Sequence, residues 1–280
     1  MAVSAEASSL QRLQCRQIVE SDLDALARLF MAGIPNHARD FWDTGLARVA
    51  ALAPVEGMPR IGYALESEQG IVGALLTLSS RRGPQIICNV SAWCVEPRYR
   101  AHSTLLTTMA TKHKDVIYLN ISPADHTLRI MEQLGWKPYN FGRSAAFPVL
   151  GLGGGTVRET IPADLPERKL LEDHRALDCI SLVCEKHGIA SPFVFKPRQT
   201  HGRKLPMMDL IYCRSTADFE RCGAALGRHF LARGYFGFIL DGKVKYTLSH
   251  YIAGKQPRLY KGPLPPDLND FAYTEKVLFA

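Results

Sequence analysis

Between Val95 and Leu105 the chain reads VEPRYRAHSTL, in which two arginines, a histidine, a serine and a threonine separate an apolar run from the start of a helical pattern. A helix N-terminus presents backbone N–H groups without intrahelical partners and carries a partial positive charge, so it can receive an anion. Arg98 and Arg100 add charge, Ser103 or Thr104 is placed to cap the helix, and Ala101 is small enough to let a ligand approach the backbone. A phosphate suits such a turn. The same residues also fit a simpler role, that of a capped helix with solvated arginines.

A second polar stretch follows in YLNISPADH. Here a strand ends in Asn120 and Ser122, which a buried strand does not need, and Pro123 stops its ladder. Two parallel strands that part at their ends leave a gap with free backbone donors and acceptors, where an extended amide-containing arm can pair as another strand would. A phosphate at the turn and an amide arm between strands together describe coenzyme A.

On these residues the stretch resembles the GNAT N-acyltransferase superfamily, in a divergent form. Val95 and Pro97 match its strand ending in V-x-P, Arg100 matches the arginine that opens its pyrophosphate loop, and Gly135-Trp136 matches its closing G-F pair. The order of elements from Leu13 to Trp136 fits as well. The resemblance implies an acetyl-CoA or other acyl-CoA co-substrate, a pyrophosphate held at Arg100, Ala101, His102, Ser103, Thr104 and Leu105, and a thioester arm held by the backbone of Cys94 and Val95 beside Asn120. The pattern departs from the family where Ala101, Ser103 and Leu105 replace glycines, and where Met131 occupies the position of an acidic tyrosine.

Acyl transfer to an amine needs a base for the ammonium proton, donors for the oxyanion and a proton for the leaving thiolate. Glu96, His102, His126 and Tyr139 are the available acids and bases, with Glu96, His126 and Tyr139 as the catalytic candidates. Each also has a plain alternative, as a solvated side chain or, for Tyr139, a half-buried strand aromatic. Cys94 could accept an acyl group but fits a core thiol better, and Trp93 could line a pocket or simply pack. No metal ligand set is expected.

These residues need a scaffold, and the pattern supplies one. LQCRQIV reads as a strand and ESDLDALARLF as an amphipathic helix; RIGYALES and IVGALLTLSS around EQG read as a hairpin. Cys88–Val95 continues the sheet, a helix starts at Ser103, DVIYLNIS is a strand, PADHTLRIMEQLG a helix ended by Gly135, and YNFGRSAAFPVL supplies closing strands. The expected fold is α/β, a mixed central sheet with helices on both faces. A flexible GLGGGT linker is expected to separate an acyl-CoA-binding domain (1–150) from a second α/β domain (156–280), read as a degenerate copy of the first.

In the second half, LPERKLLEDHRALDCISLVCEKHG is read as one long helix ended by Gly188, and MMDLIYCRS, TADFERCGAALGRHFLARG and YFGFILDG repeat the order strand, helix, strand. Its turn CRSTADFE lacks V-x-P and places Asp218 and Glu220 where they would repel a pyrophosphate. The cluster KPRQTHGRK and the later GKVKY and GKQPRLYKG, with Tyr246, Tyr251 and Tyr260, suggest a rival role in binding nucleic acid, against which stands the lack of any nucleic-acid motif. With 280 residues, 46% of them hydrophobic, the chain can bury one large core or two modest ones, and its net charge of +7 favours anionic partners. Seven spread cysteines read as reduced thiols, and no apolar run has the length of a bilayer span. A cytoplasmic enzyme acting on a small-molecule or peptide amine is the resulting expectation; the oligomeric state is not legible.

Overall fold

The computed structural model describes residues 13–148, 153–198, 205–246 and 248–279. The N-terminal stretch before Leu13, the first residues of the expected linker and most of the KPRQTHGRK cluster therefore lie outside the described residues. The chain gathers into two compact units: residues up to Ser79 with Val90–His113, and Ser80–Asn89 with Lys114 onward. Both sides of the linker contribute strands to the second unit.

The first unit contains β1 (Gln14–Gln17), α1 (Leu23–Gly33), α2 (Arg39–Ala51), β2 (Gly62–Ser67), most of β3 (Gly70–Arg82), the end of β4 (Gln85–Val95) and α3 (Ser103–Ala110). Its strands lie in the order β1-β2-β3-β4, with β2 antiparallel to both β1 and β3. The expected hairpin turns between Ser67 and Gly70, where φ is +110° and glycine is needed. The helix α2 was not read from the sequence, although Trp42, Leu46, Val49 and Ala50 recur at helical spacing and are buried. Trp42 packs against Phe30 of α1 with ring centroids 5.0 Å apart. Arg16 ties the unit's edge together, reaching Asp22 at 2.7 Å and Glu66 at 2.6 Å.

The second unit contains β5 (Val116–Asn120), α4 (Leu128–Gln133), β6 (Lys137–Ala146), β7 (Thr156–Arg158), α5 (Arg168–Arg175), β8 (Ile180–Lys186), β9 (Ile189–Pro197), β10 (Met207–Cys213), α6 (Thr216–Leu231), β11 (Gly237–Asp241), β12 (Ser249–Lys261) and α7 (Glu275–Leu278). From the first residues of β4 the strand order is β4-β5-β12-β6-β11-β10-β9-β8-β7. Pairing is parallel for β4/β5 and β10/β11 and antiparallel for the rest, so the sheet is mixed.

Side-chain alternation assigns the faces. Leu182, Phe193, Phe195, Met208, Leu210, Phe238 and Leu240 pack with Phe219, Leu226 and Phe230 of α6, whereas Val183, Val194 and Ile211 pack with Leu170 and Leu171 of α5 and Val277 of α7. Helices thus cover both faces, as the sequence pattern implied.

The single long helix expected up to Gly188 is not formed. It stops at Arg175, Asp178 takes a left-handed φ of +61°, and Ile180–Lys186 extends as β8. Gly188 is not a helix terminator: with His187 at φ +53° and Gly188 at +74°, the pair makes the tight turn of the β8/β9 hairpin. The run ISLVC, rich in residues that favour strands, overrides the helical spacing before it.

β12 was also missed. It lies between β5 and β6, so these two strands from the first half of the sequence are joined only through a strand from its far end.

Candidate functional site

Within the first unit, β4 carries the first group of site residues. Ala92 interrupts this strand with a left-handed φ of +51°, a conformation that costs a non-glycine residue of order 1 kcal/mol. Just beyond it, Cys94 is buried, with its thiol directed to the Leu29 carbonyl at 3.8 Å. Gly33 makes this approach possible, since a Cβ there would fall 2.1 Å from the sulfur. Burial, aided by Glu96 and opposed by Arg100, pushes the thiol pKa up to about 11, so Cys94 is a core thiol rather than a nucleophile. Val95 packs over Gly73, and the Glu96 N–H donates to the Val72 carbonyl at 2.9 Å.

The turn after Pro97 is not an open loop. Pro97–His102 forms a 3₁₀ helix that runs straight into α3. The expected Ser103 or Thr104 cap is absent: α3 has no side-chain cap, because the preceding turn supplies backbone acceptors, with Tyr99 N–H bonded to Glu96 O and Ser103 N–H to Arg100 O. The two arginines differ in use. Arg98 donates to Gln69 at 3.0 Å, pairs with Glu96 at 3.5 Å and lies over the Tyr99 ring. Arg100 has no hydrogen bond or ion pair among the described residues, and it is exposed together with Ala101, His102, Thr104 and Leu105, while Ser103 is half-buried.

Within the second unit, the parallel β4/β5 ladder runs from Ile86–Val116 to Asn89–Leu119. Asn89, 1% exposed, ends it: its amide donates to the Leu119 carbonyl at 3.3 Å and its oxygen accepts from the Glu275 N–H at 3.2 Å. The sequence signal was there, a lone polar residue in the apolar run IICNV, but it was not read. Asn120 closes β5 opposite Leu259 and is half-buried; Ser122 donates to the Glu275 carboxylate. His126 is exposed in a short 3₁₀ turn.

The hydroxyl of Tyr139 on β6 is buried without a hydrogen-bond partner among the described residues, its ring edge-on to Tyr260 at 6.1 Å. Burial pushes its pKa above the ordinary phenol value, so it stays protonated at neutral pH. Met131 is a core residue of α4, 1% exposed. No hydrogen bond among the described residues joins Glu96, His126 or Tyr139 to one another.

The second strand–helix–strand unit makes a contrasting site. The β10/β11 ladder ends at Asp209–Ile239. Beyond it the chain's own Asn269–Phe271 pairs with β10, through Phe271 N–H to Ile211 O at 2.8 Å and Cys213 N–H to Asn269 O at 3.2 Å. The Asn269 side chain accepts from the Asp241 N–H of β11 at 2.8 Å. At the head of α6, Ser215 accepts from the Asp218 N–H, and Asp218 occupies the first turn.

Of the three tyrosines considered for nucleic acid, the Tyr246 hydroxyl donates to the Glu220 carbonyl at 2.6 Å, Tyr260 is partly buried against the core, and Tyr251 is half-buried with the Lys243 ammonium 5.3 Å from its ring centre. Six of the seven cysteines are buried, and none is in a disulfide. No helix among the described residues is long and apolar enough to cross a membrane.

No protein-family model and no curated protein matches the sequence. Solved structures do match its fold. A GCN5-related N-acetyltransferase from Anabaena variabilis superposes with a TM-score of 0.61 at 10% identity, over 89% of this chain and 72% of that one. One from Kribbella flavida gives 0.55 at 16% identity, over 89% and 71%. A Pyrococcus horikoshii protein gives 0.57 at 12% identity over 96% of each chain. Together with the strand–helix–strand unit and its parallel ladder, these likenesses show that the chain has the GCN5-related N-acetyltransferase fold.

Proposed function

We propose that the protein is an N-acyltransferase that moves an acyl group, acetyl in the simplest case, from acyl-coenzyme A to the amine of a small molecule or peptide. The observation that supports this reading is the turn between β4 and α3, where Arg100 stands exposed and, among the described residues, unpaired at the head of a helix with no acidic residue in its first turn. In this reading Arg100 and the residues Ala101–Leu105 hold the pyrophosphate, and the Cys94–Val95 backbone with Asn120 receives the amide arm. The amine nitrogen attacks the thioester carbon, the C–S bond breaks, a base takes the amine proton and the thiolate leaves with a proton. Glu96 and His126 are the proposed bases and Tyr139 the acid. Residues 156–280 are read as a degenerate copy of the fold, since β10, α6 and β11 repeat the order of β4, α3 and β5. The chain's largely buried thiols, none of them in a disulfide, suit a reducing cytoplasm.

Calorimetric titration with coenzyme A and acetyl-coenzyme A at low and physiological salt, followed by thiol-release assays over a panel of amines, tests the proposal. Arg100→Glu is expected to weaken coenzyme A binding about tenfold or more, ~1.4 kcal/mol; unchanged affinity would remove the turn from the site. Binding without thiol release under any amine would favour a second reading, an acyl-CoA sensor or scaffold. Met131 supports that alternative, because it is a core side chain with no proton to give where the family places its acid.

A further inference from the structure

On the α7 face of the second unit's sheet, the alternation that brings Val194 and Ile211 to α5 and α7 also brings a row of charged residues. Lys196 lies on β9 with Arg198 just beyond it, Asp209 on β10, Asp241 on β11, Arg143 on β6 and Arg258 on β12, with Lys276 on α7 itself. Asp241 and Arg143 face each other across the β11/β6 ladder. These five cations and two carboxylates leave a positive surplus, and the hydrogen bonds show where it sits.

Arg198 is paired with Asp209 at 2.9 Å. Arg258 grips Asp241, 1% exposed, with two nitrogens and donates a third bond to the Ile121 carbonyl at 2.8 Å. Lys196 donates to the Val277 carbonyl at 3.1 Å. That accounts for both carboxylates. Arg143 and Lys276, both half-buried, are left without a carboxylate or hydrogen-bond acceptor among the described residues. The Lys276 ammonium lies 4.4 Å from the centre of the Phe271 ring, and the Arg258 guanidinium 4.5 Å from the same ring. Two half-buried cations whose neighbouring carboxylates, Asp209 and Asp241, are already gripped by Arg198 and Arg258 are costly unless something supplies further negative charge.

We infer that Arg143 and Lys276, backed by Arg258, form a binding site for a small oxyanion, a carboxylate or a phosphate, on this face of the second unit. The guanidinium of Arg143 offers a planar pair of donors, and Lys276 offers a compact charge; together they suit an oxygen-rich anion better than a neutral ligand. Burial and the neighbouring Arg258 and Arg143 lower the Lys276 pKa to about 8, against the opposing pull of Asp209 and Asp241. The bound anion favours the charged amine, so its affinity falls as pH rises through that value. This site needs no coenzyme A and stands apart from the acyl-transfer reading.

The test is thermal unfolding and calorimetry of the full chain without coenzyme A, titrated with inorganic phosphate or with succinate at constant ionic strength set by sodium chloride. Wild type, Arg143→Gln, Lys276→Gln and, as a control for the other turn, Arg100→Glu are compared. The expected result is a rise in unfolding temperature with at least one probe that is weaker at pH 9 than at pH 7, at least tenfold weaker binding in Arg143→Gln and in Lys276→Gln, and retention in Arg100→Glu. The preferred probe assigns carboxylate or phosphate as the natural chemistry. Because Arg143→Gln removes a cation that makes no hydrogen bond or ion pair among the described residues, its unfolding temperature without anion is expected to match or exceed that of wild type, so lost binding is not lost folding. No effect of either probe, or an effect that survives both substitutions or disappears in Arg100→Glu, would overturn the inference.

Discussion

The two strand–helix–strand units, β4-α3-β5 and β10-α6-β11, start alike and finish differently. Each has a parallel ladder that ends after a few pairs, at Asn89–Leu119 in one and Asp209–Ile239 in the other. Past the second ladder the chain places its own Asn269–Phe271 against β10 and secures it to Asp241, and α6 begins with a serine cap and an aspartate. At the first, an asparagine side chain closes the ladder, and the helix that follows β4 begins without a cap but behind two arginines. The difference teaches how one topology yields an exposed, cationic turn or a self-satisfied one: the deciding residues are those that meet the orphaned backbone groups, not the strands themselves.

Four perturbations break or sharpen this comparison. The largest is Arg258→Leu, because within the second compact unit Arg258 grips Asp241 at the end of β11 and also the Ile121 carbonyl just past β5. Leaving Asp241 buried without its ion pair, although the Asn140 amide still donates to it at 2.5 Å, should cost about 3–5 kcal/mol in chemical denaturation, if the protein folds at all, whereas the double replacement Arg258→Leu/Asp241→Leu should recover much of it.

Next comes acid. His174 on α5 is fully buried and neutral, its Nδ1–H donating to the Leu170 carbonyl at 2.7 Å and its Nε2 accepting from the Tyr273 N–H at 3.2 Å, so it anchors the segment that follows Phe271. Burial pushes its pKa down to about 4. The unfolded chain therefore takes up this proton first; stability falls as pH drops from about 6.5 toward 4, by at most about 3 kcal/mol at 1.36 kcal/mol per unit, and levels off below. Denaturation midpoints across that range should show the slope, and a flat profile would contradict the buried neutral ring.

Asn269→Ala should cost about 1–3 kcal/mol, since it strips the Asp241 N–H of its partner at a site only 2% exposed. The smallest effect gives the sharpest contrast. Ser215→Ala removes a helix cap and should cost about 1 kcal/mol, while Ser103→Ala, at a helix start whose first N–H groups are met by the 3₁₀ turn, should stay within about 0.5 kcal/mol. Equal losses would erase the distinction drawn between the two helix heads.

What could be read from residue order follows the same line. The hairpin of β2 and β3, the strand–helix–strand from Cys88 to Asn120 and the repeat of that order from Met207 onward were legible because local period and turn chemistry decide them. The long helix drawn through Cys179 and Cys184 failed because helical spacing around Leu170 and Leu171 runs into ISLVC, and only the left-handed Asp178 and the His187-Gly188 turn settle the boundary. β12 was hidden by its charges: Lys255, Arg258 and Lys261 suggested a solvated loop, while the strand's partners lie far away in sequence. The candidate site was legible as a turn and not as a set of partners. Nothing in the spacing of Arg98 and Arg100 says that the first is tied to Gln69 and the second has no such partner among the described residues.

The position of β12 also sets an order in time. Residues 116–120 and 137–146 leave the ribosome early, yet they become neighbours only through residues 249–261. At 5–20 residues per second the nascent chain waits on the order of ten seconds with two unpaired strand edges. During that interval it is exposed to edge-to-edge association, and a chain cut short before Ser249 would keep that exposure permanently.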